Sequence, residues 1–257
     1  PFWRDRFLPS ATDAKGCGMA RTAVVSGVGP GLGAALVRKF AVEGCGVAMF
    51  ARSLDYLQEL AAEVGEETGS RLLPVAVDIT RPEDIAAGFQ QVRDELGAVD
   101  ILVNHASNAS WKGLLDLTPE EFDLAWRVSV FGAFLCSRQS VPDMLGRGGG
   151  AIIFTGATSG VRGRAGALAF SSAKFGVRGL ADSMAREFWP QGIHVAHVVI
   201  DGLIDTPRVR ADFGLADQEP ALAPGAIAES YWNLIQQDPS SWSFEIDVRP
   251  AGEAFFD

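Results

Sequence analysis

From Arg21 onward the chain alternates short apolar runs rich in β-branched residues with longer stretches whose apolar positions recur at helical spacing. Thr22–Ser26 reads as a buried strand, and Gly31–Glu43 as a helix carrying Leu32, Leu36, Val37 and Phe40 on one face, with Gly44 placed to end it. The same patterning predicts strands at Gly46–Ala51, Leu72–Val77, Asp100–Val103, Ala151–Thr155, His194–Ile200 and Ser243–Val248. Helices are expected between them. One is capped by Ser53 and runs to about Glu67; one opens on Thr80-Arg81-Pro82-Glu83; one runs from Thr118 to about Leu145. Others cover Leu168–Trp189, stopped by Pro190, and the segments Asp205–Phe213 and Pro224–Gln237. Strands that lack in-and-out alternation are buried on both faces, and strands separated by helices pair in parallel through right-handed crossovers. The expected architecture is α/β, a single doubly wound domain of about seven parallel strands with helices on both faces.

No linker, repeat or low-complexity tract divides residues 19–257, which are expected to form that one domain. Residues 1–18 contain Phe2, Trp3 and Phe7 but no apolar signal core and no small-residue cleavage site. They read as an N-terminal extension outside the fold. A formal charge of −10 argues against nucleic acid or an anionic membrane surface as a partner. No apolar run approaches the roughly 18 residues of a membrane-spanning helix. Cys17, Cys45 and Cys136 are scattered and odd in number, which suggests free thiols in a reducing, cytoplasmic compartment. His105, His194 and His197 are equally scattered, so no metal site is expected.

The first strand runs directly into Ser26-Gly27-Val28-Gly29-Pro30-Gly31-Leu32-Gly33 and then into a helix. A phosphate seated on a helix N-terminus needs free backbone N–H groups and no Cβ in the way, and glycines at 27, 31 and 33 meet that need. The second strand ends on Ala51-Arg52-Ser53, with no acid to bond a ribose 2′-hydroxyl. Arg52 instead offers a planar fork suited to a 2′-phosphate, with Ser53 beside it, so NADP(H) is preferred and NAD(H) possible. The alternative is that Arg52 is a solvated residue at a strand end.

The spacing Gly27-x-x-x-Gly31-x-Gly33, Asp78 after the third strand, Asn104-His105-Ala106 after the fourth, and Lys174 in Phe170-Ser171-Ser172-Ala173-Lys174 together resemble the short-chain dehydrogenase/reductases. The likeness covers Arg21 to about Val248. It implies a Rossmann-type fold and a cofactor-binding set of Ser26, Gly27, Gly29, Gly31, Leu32, Gly33, Arg52, Ser53, Asp78, Ile79, Asn104, Ala106, Lys174 and Thr206. Asp78 and Ile79 would face the adenine, and Thr206 would bond the nicotinamide carboxamide. A homo-dimer or homo-tetramer is implied too.

The family's catalysis uses a tyrosine, a lysine four residues later, a serine 13 residues before the tyrosine, and an asparagine. Here Lys174 is kept, but the other three positions are Phe170, Ala157 and Ser129. Phenylalanine has no proton to give. Asp201 and His105, at the ends of the sixth and fourth strands, are the candidate replacement proton donors. They could equally cap a segment or bond a backbone carbonyl. The catalytic candidates are therefore Lys174, Asp201, His105 and Ser129. The leading expectation is an NAD(P)-dependent oxidoreductase acting on a small-molecule carbonyl or alcohol through a non-standard proton donor. The alternative is a catalytically silent NADP(H)-binding sensor or partner subunit.

Overall fold

The computed structural model describes residues 20–214 and 220–252, so the expected extension at 1–18 lies outside the described residues. In chain order the elements are β1 (Thr22–Ser26), α1 (Leu32–Val42), β2 (Gly46–Ala51), α2 (Leu54–Thr68), β3 (Leu72–Ala76), α3 (Pro82–Glu95), β4 (Ile101–Asn104) and α4 (Pro119–Trp126). They continue with α5 (Gly132–Gly146), β5 (Gly150–Thr155), α6 (Leu168–Phe188), β6 (Ile193–Ile200), α7 (Pro207–Phe213), α8 (Pro224–Ile235) and β7 (Glu245–Val248).

The strands form one sheet in the order β3-β2-β1-β4-β5-β6-β7, every pairing parallel. Along β1 the pleat sends Ala23 and Val25 to one face and Val24 to the other, so each strand feeds two cores. Leu36 and Phe40 of α1, Leu57 of α2 and Trp232 of α8 close the first core. Phe89 of α3, Cys136 of α5 and Val177 of α6 close the second. Strands buried on both faces cannot alternate polar with apolar residues, which is why β1, β4 and β6 are buried throughout. Chain order runs outward from β1 to β3 and then returns to β4 beside β1, so the direction of winding reverses between β1 and β4. Ligands of doubly wound sheets bind at that reversal, beyond the C-terminal strand ends. Register fixes what meets there: Ser26 lies opposite both Phe50 and Asn104, and Asn104 lies opposite Phe154.

Four local expectations change. The helix expected over Thr118–Leu145 is broken into α4 and α5 by a π-helical turn at Arg127–Phe131, where one extra residue is accommodated within the spiral. Ser53 occupies the N-cap of α2, but its side chain accepts no bond from the helix. The N-cap of α3 is Arg81; the Thr80 hydroxyl is drawn instead to Asp78. The last strand begins at Glu245 because Ser243 is held by Gln237 outside the sheet. Among the large aromatic residues, Trp232 is buried and packs on Phe40, and Trp111, Phe134 and Phe175 are exposed. Among the described residues, no helix is long and apolar enough to cross a membrane.

Candidate functional site at the sheet reversal

The turn after β1 is stitched to β2 by two amides, Gly27 and Val28, which donate to the Phe50 carbonyl at 2.8 and 3.0 Å. Gly27 has φ 80°, and a Cβ there would stand 2.5 Å from the Cα of Ala106. Gly31 has φ 125°, and its Cβ would stand 2.8 Å from Cγ2 of Thr206. Both positions thus need glycine twice over, for conformation and for room. Gly33 is likewise crowded, against Val28, whereas a Cβ at Gly29 would meet nothing within 4 Å. Among the described residues, the amides of Gly31, Leu32 and Gly33 donate to no backbone carbonyl, so the N-terminus of α1 presents free donors at its positive dipole end.

A cleft of about 520 Å³ opens beside this turn. Its walls are Gly27 and Val28, the strand-end residues Arg52 and Ser53, the stretch from Val77 to Thr80, and His105 to Asn108 after β4. Arg52 is exposed at the rim. The Asp78 carboxylate accepts the backbone N–H and hydroxyl of Thr80 at 2.9 and 2.7 Å, and these bonds, with Arg52 assisting, hold its pKa below the usual carboxylate value. At the end of β4, Asn104 donates through Nδ2 to Ser137 at 3.1 Å, while its buried Oδ1 has no partner among the described residues. Ser26 donates to the Val103 carbonyl and accepts the His105 amide, each at 3.2 Å, which fixes the backbone where the chain enters the cleft.

The deeper end is organised by Thr155, the last residue of β5. Lys174 of α6 is only 4% exposed and donates from Nζ to the Thr155 carbonyl at 2.8 Å. Burial lowers its pKa to about 8. The Thr155 hydroxyl lies 3.3 Å from Nδ1 of His105 and accepts the Tyr231 hydroxyl of α8 at 2.9 Å. Burial first, and the Lys174 charge second, bring His105 down to about 4, so the ring is neutral at pH 7. The Phe170 ring lies 5.6 Å from Lys174 Nζ and 5.4 Å from the Trp111 ring, over which the Arg164 guanidinium sits at 5.5 Å. Ala157, two residues beyond Thr155, is in extended backbone and leads into a short turn at Thr158–Gly160.

The remaining candidates are placed elsewhere. Both oxygens of Asp201 are engaged, Oδ1 by the Thr158 hydroxyl and Oδ2 by Arg249 at 2.8 Å, so the carboxylate ties the loop after β5 to the segment after β7. Ser129 lies buried in the π-helical turn, its hydroxyl accepting the Asn108 amide at 3.5 Å. Thr206 caps α7 through Oγ1, 3.1 Å from the Val209 amide, while its methyl faces Gly31. Lys174, Asp201, Ser129 and Thr206 are not among the residues that wall the cleft, whereas Arg52, Ser53, Asp78, Ile79, His105 and Ala106 are. Ser171 and Ser172 serve the scaffold, accepting the Arg164 amide and the Trp126 indole N–H. Sequence reasoning missed Tyr231 altogether. The one available signal was rarity, since the chain has two tyrosines and this one interrupts an apolar helix face. Among the described residues, no three His, Cys, Asp or Glu side chains are grouped to hold a metal ion.

A doubly wound parallel sheet with a glycine turn at its reversal is the arrangement of the dinucleotide-binding class of α/β folds. A family model described as short chain dehydrogenase matches residues 21–213, and the chain belongs to that family. It is 32% identical over 195 residues to the 2-(R)-hydroxypropyl-CoM dehydrogenase of Xanthobacter autotrophicus, covering 75% of this chain and 78% of that one. Identity to a short chain dehydrogenase of Pseudocercospora fijiensis is 37% over 157 residues, 60% of this chain but only half of that protein's length. Among solved structures, a short-chain dehydrogenase from Rhodopseudomonas palustris superposes with a TM-score of 0.78 at 34% identity, covering 90% of this chain and 98% of the other. The L-sorbose reductase of Gluconobacter frateurii, solved with NADPH and L-sorbose, gives 0.82 at 28% identity, covering 90% and 95%.

Proposed function

We propose that the chain is an NADP(H)-dependent oxidoreductase acting on a small carbonyl or alcohol, with Lys174 carrying the mobile proton. The observation that carries this reading is a lysine buried beside β5, with its pKa lowered to about 8, in a fold whose helix α1 opens with the amides of Gly31, Leu32 and Gly33 bonded to no backbone carbonyl among the described residues. A nicotinamide dinucleotide fits the residues present. Gly31, Leu32 and Gly33 would supply amides to its pyrophosphate, Arg52 and Ser53 would meet a 2′-phosphate, and Asp78 and Ile79 would border the adenine. The solved relative holding NADPH and L-sorbose supports this cofactor and this class of substrate. The bound cofactor would supply or accept a hydride at the substrate carbon. The Lys174 ammonium, mostly protonated just below its pKa, would release a proton to the substrate oxygen in reduction and recover it in oxidation. His105 is neutral and Asp201 is committed to Thr158 and Arg249, so proton handling falls to Lys174 on this reading.

The oligomer belongs to the same proposal. The face of α4, α5 and α6 exposes an apolar groove at Trp126, Val130, Phe131 and Phe134, which suits a second copy of this chain; light scattering would show a dimer or tetramer. A cytoplasmic location is consistent with the buried free thiols Cys45 and Cys136. One observation favours a silent cofactor-binding protein instead: the positions where the family carries its tyrosine and serine hydroxyls are the apolar Phe170 and Ala157.

Cofactor fluorescence titration comes first. NADPH is expected to bind at least about tenfold tighter than NADH, since a charged hydrogen bond contributes about 1.5–3 kcal/mol, and Arg52→Gln should erase the difference. Equal affinities would sink the NADP assignment. A panel of ketones, aldehydes and ketoses should then reveal NADPH consumption that Lys174→Met lowers about 100-fold or more. Tight NADPH binding without turnover across the panel would decide for the silent reading.

A further inference from the structure

Beyond Lys174, the site contains a buried hydroxyl pair that the proposed reaction does not use. We propose that Tyr231 and Thr155 are positioning residues that hold the His105 ring with its proton on Nε2, so that an N–H donor faces the cleft for a carbonyl oxygen of the bound ligand.

Proton counting carries the argument. Tyr231 is 0% exposed, and among the described residues its hydroxyl has one partner, Oγ1 of Thr155 at 2.9 Å. A buried hydroxyl proton left unbonded costs about 1–3 kcal/mol, so Tyr231 donates. Thr155, itself buried, then has one proton left to place, and the acceptor within reach among the described residues is Nδ1 of His105 at 3.3 Å. If Nδ1 carried the ring proton it would also donate to Thr155, and the Thr155 proton would have no acceptor. The single assignment that bonds both hydroxyl protons therefore runs from Tyr231 through Thr155 to an unprotonated Nδ1. A neutral imidazole carries its proton on one nitrogen only, so the proton goes to Nε2. The neutral state is itself enforced, because burial and the Lys174 charge disfavour the imidazolium.

His105 lines the cleft. Its Nε2 makes no hydrogen bond among the described residues and is not one of the sealed, unpartnered atoms, which are Asn104 Oδ1 and His197 Nε2. The His105 amide is bonded to Ser26, and the ring itself is held at Nδ1 by the Thr155 hydroxyl. A neutral N–H in a partly dry site polarises a carbonyl without surrendering a proton, a role open at positions where hydroxyls are missing. The same donor would suit a substrate carbonyl or a carboxamide of the cofactor. Only that last step rests on the proposed function; the tautomer is a property of the chain alone.

Long-range ¹H–¹⁵N spectra of the labelled full chain at pH 7, without cofactor, read the tautomer directly. His105 is assigned by its loss in His105→Gln. The expected signature is a pyrrole-type Nε2 and a pyridine-type Nδ1, with a preference of about tenfold or more, as one hydrogen bond of about 1.5 kcal/mol implies. Thr155→Ser should retain that signature, Tyr231→Phe should weaken it, and Thr155→Val should bring the two tautomers near parity. A pyrrole-type Nδ1 in the wild type, or an unchanged preference in both Tyr231→Phe and Thr155→Val, overturns the proposal. Adding NADPH alone and then NADPH with L-sorbose separates the sources of the acceptor: a shift of the Nε2 proton at the first addition indicates the carboxamide, and at the second the substrate. An Nε2 proton that moves at neither addition, although NADPH binds, overturns the donor role. Failure of NADPH to bind, with the tautomer intact, counts against the cofactor assignment and supports the hydroxyl lock.

Discussion

Substituting methionine for Lys174 keeps much of the side-chain volume and removes the ammonium. In the folded chain that group is 4% exposed, and burial lowers its pKa from 10.5 to about 8. The difference corresponds to about 3 kcal/mol of penalty on the charged form, which the bond to the Thr155 carbonyl does not offset. In the unfolded chain Lys174 titrates at its ordinary value, so between about pH 8 and 10.5 the unfolded state binds more protons than the folded one. Stability therefore rises with pH through that window, while below about pH 8 both states are protonated and the penalty is complete. Urea unfolding of wild type and Lys174→Met at pH 7 and pH 10 isolates this contribution, since other titrating groups cancel in the comparison. The wild type should gain about 2–3 kcal/mol relative to the variant. A direct check uses ¹³C at the lysine Cε: the chain has only four lysines, and the resonance missing from Lys174→Met should titrate near pH 8. A midpoint above pH 10, or unfolding differences that do not change with pH, would refute the buried ammonium and with it the proton role assigned to this residue.

The glycine turn makes a second expectation. Gly27→Ala places a methyl 2.5 Å from the Ala106 Cα at φ 80°, which should cost about 2–5 kcal/mol from strain and overpacking and lower the unfolding temperature by several degrees. Gly29→Ala, which meets nothing within 4 Å, should remain within about 0.5 kcal/mol of wild type. An equal effect of the two by calorimetry would show that crowding against the β4 end does not select the glycine. Phe170→Tyr combined with Ala157→Ser restores hydroxyls beside Lys174, whose Nζ lies 5.6 Å from the Phe170 ring. Ketone reduction in the double variant should rise by about 100-fold or more, monitored as NADPH absorbance, and an unchanged rate would mean that more than two hydroxyls separate this site from a generic reductase.

The hydrophobic patterning was enough to give seven parallel strands between helices, because runs buried on both faces and stretches of helical period are local properties of the chain, and right-handed crossover leaves few ways to assemble them. The glycine turn was legible for the same reason: at Gly27 and Gly31 the backbone itself takes conformations that other residues resist. Lys174 and Phe170 could be paired by counting four residues along one helix. The sequence could not show where partners distant along the chain would meet. Asp201 reads as a free acid at a strand end, yet β7 and the loop after β5 bring Arg249 and Thr158 to its two oxygens. Thr80 reads as a helix cap, yet the bend after β3 turns its hydroxyl onto Asp78. Tyr231 drew no notice in the sequence, yet it reaches Thr155 across 76 residues because α8 packs on the face of the sheet where β5 ends. Local periodicity is written residue by residue, so the sequence determined the elements and the phosphate-type turn. Which buried donors find which acceptors depends on sheet register and helix placement, so the chemistry around Lys174 and His105 was decided only in three dimensions.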